Sequence, residues 1–300
     1  MSRTRRRDLF CYLMVAPALI FTVVLGIYPM LASLRMSFLR YDLLTLRTSG
    51  TPFVGFQNYR TLLEDPLFIQ TLVNTVLFTV LAVTAVVCLS LFLAQVINLD
   101  FIGQGLVRTL VFVPWFVPPA VAAAIWMWLF QTERSPITHL LQNTGLLTAN
   151  IRYLTDTSTF GPISIPMLSV TAVRVWNGIP FVVIFILAGL QSIPRSLYEA
   201  AEIDGAGIAQ KFLFITMPML KPVLSILTTL LVIGGLGHFE INYVMTGGGP
   251  RNLTNILAVF SYQQAFTYFR FDLAAAASGI ILVLTTIVSM VYVRNELKEA

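Results

Sequence analysis

Two clusters of polar residues stand inside otherwise apolar stretches, and their types suit binding rather than bond-making. The first reads Val173-Arg174-Val175-Trp176-Asn177-Gly178-Ile179-Pro180-Phe181. A charge at mid-membrane costs about 2.5–3.5 kcal/mol on insertion scales, so Arg174 must face a cavity or pair with a carboxylate or carbonyl of a partner subunit. Asn177 lies one turn away on nearly the same helical face. Gly178 and Pro180 permit a bend that would open backbone groups to a solute. The second cluster is Gly234-Gly235-Leu236-Gly237-His238-Phe239-Glu240-Ile241-Asn242-Tyr243. Each glycine lowers helix propensity by about 1 kcal/mol, so Gly234, Gly235 and Gly237 together suggest a close helix approach or a widened path. His238 and Glu240 do not share a helical face, and His238 reads as a hydrogen-bonded residue of a polar seam. Asn242 and Tyr243 fit an external rim. Aromatic faces with a few polar groups suit the binding of a small polar solute.

A third segment has a different character. It runs Gln191-Ser192-Ile193-Pro194-Arg195-Ser196-Leu197-Tyr198-Glu199-Ala200-Ala201-Glu202-Ile203-Asp204-Gly205-Ala206-Gly207 and on to Lys211-Phe212-Leu213-Phe214-Ile215-Thr216-Met217-Pro218. Ser196 with Glu199 predicts a capping box and a helix start. Asp204-Gly205 breaks that helix, because glycine turns without steric penalty. A second short helix carrying Phe212 and Ile215 is expected, closed by Pro218. So many apolar side chains in a connecting loop need a partner surface.

Bond-making chemistry has no comparable support. There is no Ser/His/Asp set, and the histidines, His139 and His238, are too few for a metal cluster, so no metal site is expected. Gly-x4-Gly-Lys-Ser/Thr is absent, so no ATP hydrolysis is expected of this chain. Cys11 and Cys88 lie in apolar runs and read as small buried hydrophobes.

The elements that position these clusters are set by composition. Of the 300 residues, 57% are hydrophobic and 11% charged, against about 25% charged in an ordinary globular domain. Mean hydropathy is +0.81. Lipid must be the solvent for most of the chain. The net charge of +5 gathers in no aromatic-rich patch, which argues against nucleic acid. Arg3-Thr4-Arg5-Arg6-Arg7 instead precedes the first apolar run, as an orientation signal with affinity for anionic lipid. That run is too long for a cleaved signal peptide.

A bilayer core of about 30 Å takes about 20 apolar residues of helix. Spans are expected at about 9–34, 71–98, 109–131, 160–190, 220–243 and 273–293, within one transmembrane domain over 1–300. The interval around Arg174 can be read as one long helix or two short ones. One helix gives six spans, with both termini and Lys211, Lys221 and Lys298 in the cytoplasm, in the sense of the positive-inside rule. The outside segments are then 35–70, 132–160 and 244–271, and the loop 191–218 lies inside.

Glu199-Ala200-Ala201, three residues, Gly205, nine residues, Ile215, one residue, then Met217-Pro218 resembles the EAA loop of ABC importer permeases. The family pattern has Leu where this chain has Met217, a volume-conserving swap. The resemblance covers nearly the whole chain. Phe53-Val54-Gly55-Phe56-Gln57-Asn58-Tyr59, Asp65-Pro66-Leu67-Phe68, Asn74-Thr75 and Tyr243-Val244-Met245-Thr246-Gly247-Gly248-Gly249-Pro250 are similar to carbohydrate-uptake permeases of the maltose and glycerol-phosphate type, first of two subunits. It implies an all-α type I permease fold in the bacterial inner membrane, with a coupling helix–turn–helix docked in an ATPase groove. Glu199, Ala200, Ala201, Asp204, Gly205, Ile215 and Pro218 would carry the coupling. Arg174, Asn177, Gly178, Phe181, Gly234, Gly235, His238, Asn242 and Tyr243 would line the solute path. It also implies a second permease subunit, two ATPase subunits holding ATP and Mg, an external solute-binding protein and no cofactor on this chain. The rival reading is an ion-coupled secondary transporter, which wants membrane-embedded carboxylates; the spans offer only Glu240, near an end.

Overall fold

The computed structural model describes residues 3–44, 46–133, 135–146 and 150–299, with side chains at 3–11, 49 and 296–299 left out. Cys11, the N-terminal arginines and Lys298 therefore lie outside the described side chains. Among the described residues the chain is mostly helical, with one small antiparallel hairpin, Thr159–Phe160 on Ile163–Ser164.

The apolar helices follow in chain order. They are α1 (Tyr12–Met36), α2 (Pro66–Asn98), the pair α3 (Gln104–Phe116) and α4 (Pro119–Leu129), and α5 (Ile165–Ser192). After the short α6 (Arg195–Ile203) come α7 (Ile208–Leu236), the short α8 (Glu240–Thr246) and α9 (Phe271–Asn295). Five of these are long and apolar enough to cross a membrane, and α3 with α4 makes a sixth if the bent pair is one span.

Three elements differ from expectation. The span at 109–131 is not a straight helix: α3 and α4 meet at 102°. Pro114, Pro118 and Pro119 cause the break, because proline removes a ladder donor and crowds the preceding turn. Val117 and Pro118 are accordingly extended. The span at 220–243 starts earlier and ends earlier, since α7 runs from Ile208 and stops at Leu236 before a break at Gly237 and His238. Pro218 does not close a short helix. The turn before it widens to a π-helix, Phe212–Thr216, in which the Met217 N–H donates to Phe212 O. Such a turn relieves the clash of a proline ring with the carbonyl four residues back. Another π-helical turn, Thr22–Ile27, comes just before Pro29 in α1. The interval around Arg174 is one helix of 28 residues, α5, with Pro180 inside it.

Two compact units emerge. One comprises Met1–Pro66 and Ser261–Ile280; the other comprises Leu67–Phe260 and Ile281–Ala300. In the first, Asn58 donates to the Ser37 and Leu39 carbonyls at 2.8 Å each, and Tyr59 shares a 2.8 Å hydrogen bond with Ser37. In the second, α2, α5 and α7 meet over Val86, Ile97, Val182, Ile186, Leu220 and Leu227. Their outward faces stay apolar, as a lipid-facing or subunit-facing surface requires. Cys88, expected to be buried, is exposed on α2 for this reason: lipid does not penalise an outward thiol.

Candidate functional site

A cavity of about 530 Å³ opens where the broken third span faces α5 and α7. Trp115, Phe116 and Pro118 form one wall; Arg174, Gly178 and Phe181 of α5 form another; Leu230 and Leu231 of α7 complete it. Of the residues picked out as solute-lining from sequence, Arg174, Asn177, Gly178 and Phe181 are brought together here. The Phe181 ring sits 5.2 Å from that of Trp115.

Arg174 runs along its own helix toward Gly178. A Cβ at Gly178 would stand 3.0 Å from Arg174 Nη1, so glycine at this position makes room for the guanidinium. Among the described residues, Arg174 has no hydrogen-bond or ion-pair partner within contact distance. Glu240 and His238 are near enough to interact with it electrostatically. Asn177 is engaged differently. Its amide donates to the Pro114 carbonyl at 3.3 Å and the Val117 carbonyl at 3.2 Å. These carbonyls lie at the proline-rich break, so Asn177 pins the bend in place.

The second cluster lines no part of this cavity. Gly235 is a close approach, since a Cβ there would fall 2.8 Å from Thr79 Cγ2 on α2, whereas Gly234 faces open space. His238 is stacked on Phe78 with centroids 5.6 Å apart, and its buried Nε2 lacks the partner expected of it. Asn242 is not at a rim: it is 0% exposed and donates to the Thr254 carbonyl at 3.5 Å. Tyr243 stacks on Phe239 at 4.9 Å. Asn242 and Tyr243 brace α8 and the loop after it, beyond the break at Gly237 and His238.

The loop at 191–218 has its own geometry. α6 begins at Arg195 behind Pro194, and no side chain caps it, so the Ser196–Glu199 capping box does not form. Proline's fixed φ sets the entry without a capping hydroxyl. At the other end, the Ala206 N–H donates to Ala201 O at 2.8 Å and the Gly205 N–H to Glu202 O at 3.0 Å. This is a Schellman closure, with Gly205 left-handed at φ +79°. Lys211 bonds Glu202 at 2.6 Å across the turn, and the Tyr198 hydroxyl shares a 2.9 Å bond with Thr216. Glu199, Ala200, Asp204 and Pro218 are exposed; Ala201 and Ile215 are half-buried. Ile203 and Ile208, each 87% exposed, flank the turn, with Leu213 and Phe214 beyond.

The sequence reading missed Trp115, Phe116 and Pro118 on the cavity wall and the Tyr198 tether. The three prolines between 114 and 119 were the available signal for the wall.

Residues 53–296 match the family model described as "Binding-protein-dependent transport system inner membrane component". The chain belongs to this family. It is an ABC importer permease and an integral inner-membrane protein. The permease is 35% identical to the sulfoquinovosyl glycerol transport system permease protein SmoG of Agrobacterium fabrum, over 95% of this chain and 90% of that one. It is 35% identical to the sn-glycerol-3-phosphate transport system permease protein UgpA of Pectobacterium atrosepticum, over 91% and 89%. It is 33% identical to the trehalose/maltose transport system permease protein MalF of Thermococcus litoralis, over 94% and 92%. Its fold matches a chain of a bacterial ABC transporter involved in the import of the acidic polysaccharide alginate, with TM-score 0.79, 23% identity and 96% of each chain covered.

Proposed function

We propose that this permease passes a carbohydrate or closely related polyol derivative through the cavity at Arg174, driven by ATPase subunits that bind the 191–218 loop. The observation that carries the coupling half is the apolar ridge of Ile203, Ile208, Leu213 and Phe214 around a turn locked by Gly205. An exposed ridge on a rigid, polar-braced turn is the shape of a helix-in-groove ligand. The carbohydrate half is supported by the names of the relatives, which concern a sugar glycerol, a glycerol phosphate and trehalose or maltose. The cavity's pairing of Trp115 and Phe181 with polar groups suits such a solute. An ion-coupled transporter would want a carboxylate on the path, and none is among the described lining residues.

In this reading both termini and the loop are cytoplasmic. The chain works beside a second permease subunit, two ATPase subunits that hold ATP and Mg, and an external solute-binding protein. It has no ATPase site itself. The site residues are Glu199, Ala200, Ala201, Asp204, Gly205, Ile215 and Pro218 for coupling, and Arg174, Asn177, Gly178 and Phe181 for solute. The test is reconstitution in proteoliposomes. The contaminant-free chain alone should hydrolyse no ATP, and labelled saccharide should enter only when every subunit and ATP are present. Uptake driven by an ion gradient without ATP would overturn the proposal. Reporter fusions ending near Gln210 and near Arg251 should report opposite sides of the membrane.

A further inference from the structure

The cavity has an uneven balance of polar groups. Among the described residues, Arg174 is the one charged residue of its lining, and no carboxylate accompanies it there. Asn177, the other polar side chain that α5 brings to the lining, has committed its amide to the Pro114 and Val117 carbonyls. Glu240 interacts with Arg174 electrostatically, but it sits at the first turn of α8, outside the lining and without an ion pair to the guanidinium. His238 is stacked away on Phe78. The remaining walls are aromatic, aliphatic and proline surfaces. A guanidinium in such surroundings is poorly hydrated, and among the described residues no carboxylate is in contact with it. Its planar fork of donors matches an oxyanion bidentately. Gly178 keeps the fork in place beside the helix by leaving out the Cβ that would crowd Nη1.

We propose that the permease selects a solute bearing an anionic group, carboxylate, phosphate or sulfonate, whose charge is met by Arg174 while its sugar-like body rests on Trp115 and Phe181. This rests on the importer reading above and narrows it to acidic saccharides. The competing occupant of the guanidinium is a carboxylate of the second permease subunit. In that arrangement the cavity would be electrically neutral and would show no preference for anions.

The test uses the complete transporter in nanodiscs, with binding measured at equilibrium in the absence of the solute-binding protein. Its probes are matched pairs differing in one anionic group: cellobiuronate against cellobiose, glucose 6-phosphate against glucose, and sulfoquinovose against glucose. The wild-type complex should favour the anionic member of at least one pair by about tenfold or more. Arg174→Gln should erase that preference, and Arg174→Lys, which keeps the charge but not the fork, should keep part of it. Size-exclusion profiles confirm that each variant is assembled. Two results overturn the inference while leaving the carbohydrate reading standing. One is equal or tighter binding of the neutral members; the other is an anion preference that survives Arg174→Gln unchanged. Binding of no member of any pair would sink the saccharide reading itself, and this inference with it.

Discussion

The turn at Gly205 and the cavity at Arg174 solve opposite construction problems. At Gly205 the hydrogen bonds join near neighbours: Ala206 to Ala201, Gly205 to Glu202, and Gln210 Oε1 accepting from Gly207. The shape is fixed locally, so its apolar ridge can be presented to a partner with little support from the rest of the chain. The cavity is assembled from three spans far apart in sequence, and it holds its shape through Asn177 reaching across to a broken one. The difference teaches where damage should travel. A fault in the turn should spoil the response to the ATPase and leave solute affinity alone; a fault in the cavity should do the reverse.

Gly205→Val tests the first half and should have the largest effect. A β-branched residue at φ +79° meets a left-handed penalty of about 1–2 kcal/mol or more. The strain would redirect Ile208 and Phe214. Uptake should fall more than about tenfold, with binding-protein-stimulated ATPase lost and solute affinity retained. Normal stimulation at equal permease levels would show that this loop is not the transmission element.

Asn177→Ala should come next. Two carbonyls at the proline break lose their donor, a loss of about 1–3 kcal/mol where they cannot be rehydrated. The purified complex should melt at lower temperature and bind solute more weakly, while a pull-down still recovers the ATPase. Loss of ATPase docking would mean that the two regions are not separable.

Tyr198→Phe removes one hydrogen bond to Thr216, worth about 0.5–1.5 kcal/mol. A small drop in stimulated ATPase, without change in solute affinity, is the expected result. Glu199→Ala should be smallest, because an exposed carboxylate contributes about 0–1 kcal/mol even when paired. A large uptake defect in Glu199→Ala would point to a buried ionic contact in the ATPase groove.

The same contrast explains what could be read from the residues. Asp204-Gly205 announced its turn, because a left-handed closure leaves a glycine in the sequence. Arg174, Asn177, Gly178 and Phe181 could be placed on one helix, because a lone charge in an apolar run must face something polar. Trp115 and Phe116 could not be assigned to the same cavity, since hydropathy counts them as ordinary span residues. Only the prolines beside them mark the bend. His238 and Asn242 misled in the other direction. Their polarity suggested a path, yet the break at Gly237 carries them into packing around Phe78 and Thr254. Pro218 misled because a proline reads as a stop, whereas a widened turn absorbed it.

That absorbed proline leaves α7 unbroken for 29 residues, from the foot of the Gly205 turn to Leu236. Phe214 on the ridge and Leu230 on the cavity wall thus ride the same rod, roughly 24 Å apart at about 1.5 Å per residue. A lever of this kind needs no relay of side chains. Any tilt imposed on its lower end displaces Leu230 and Leu231 directly, with Gly235 against Thr79 as the tight contact around which such a rod can rock.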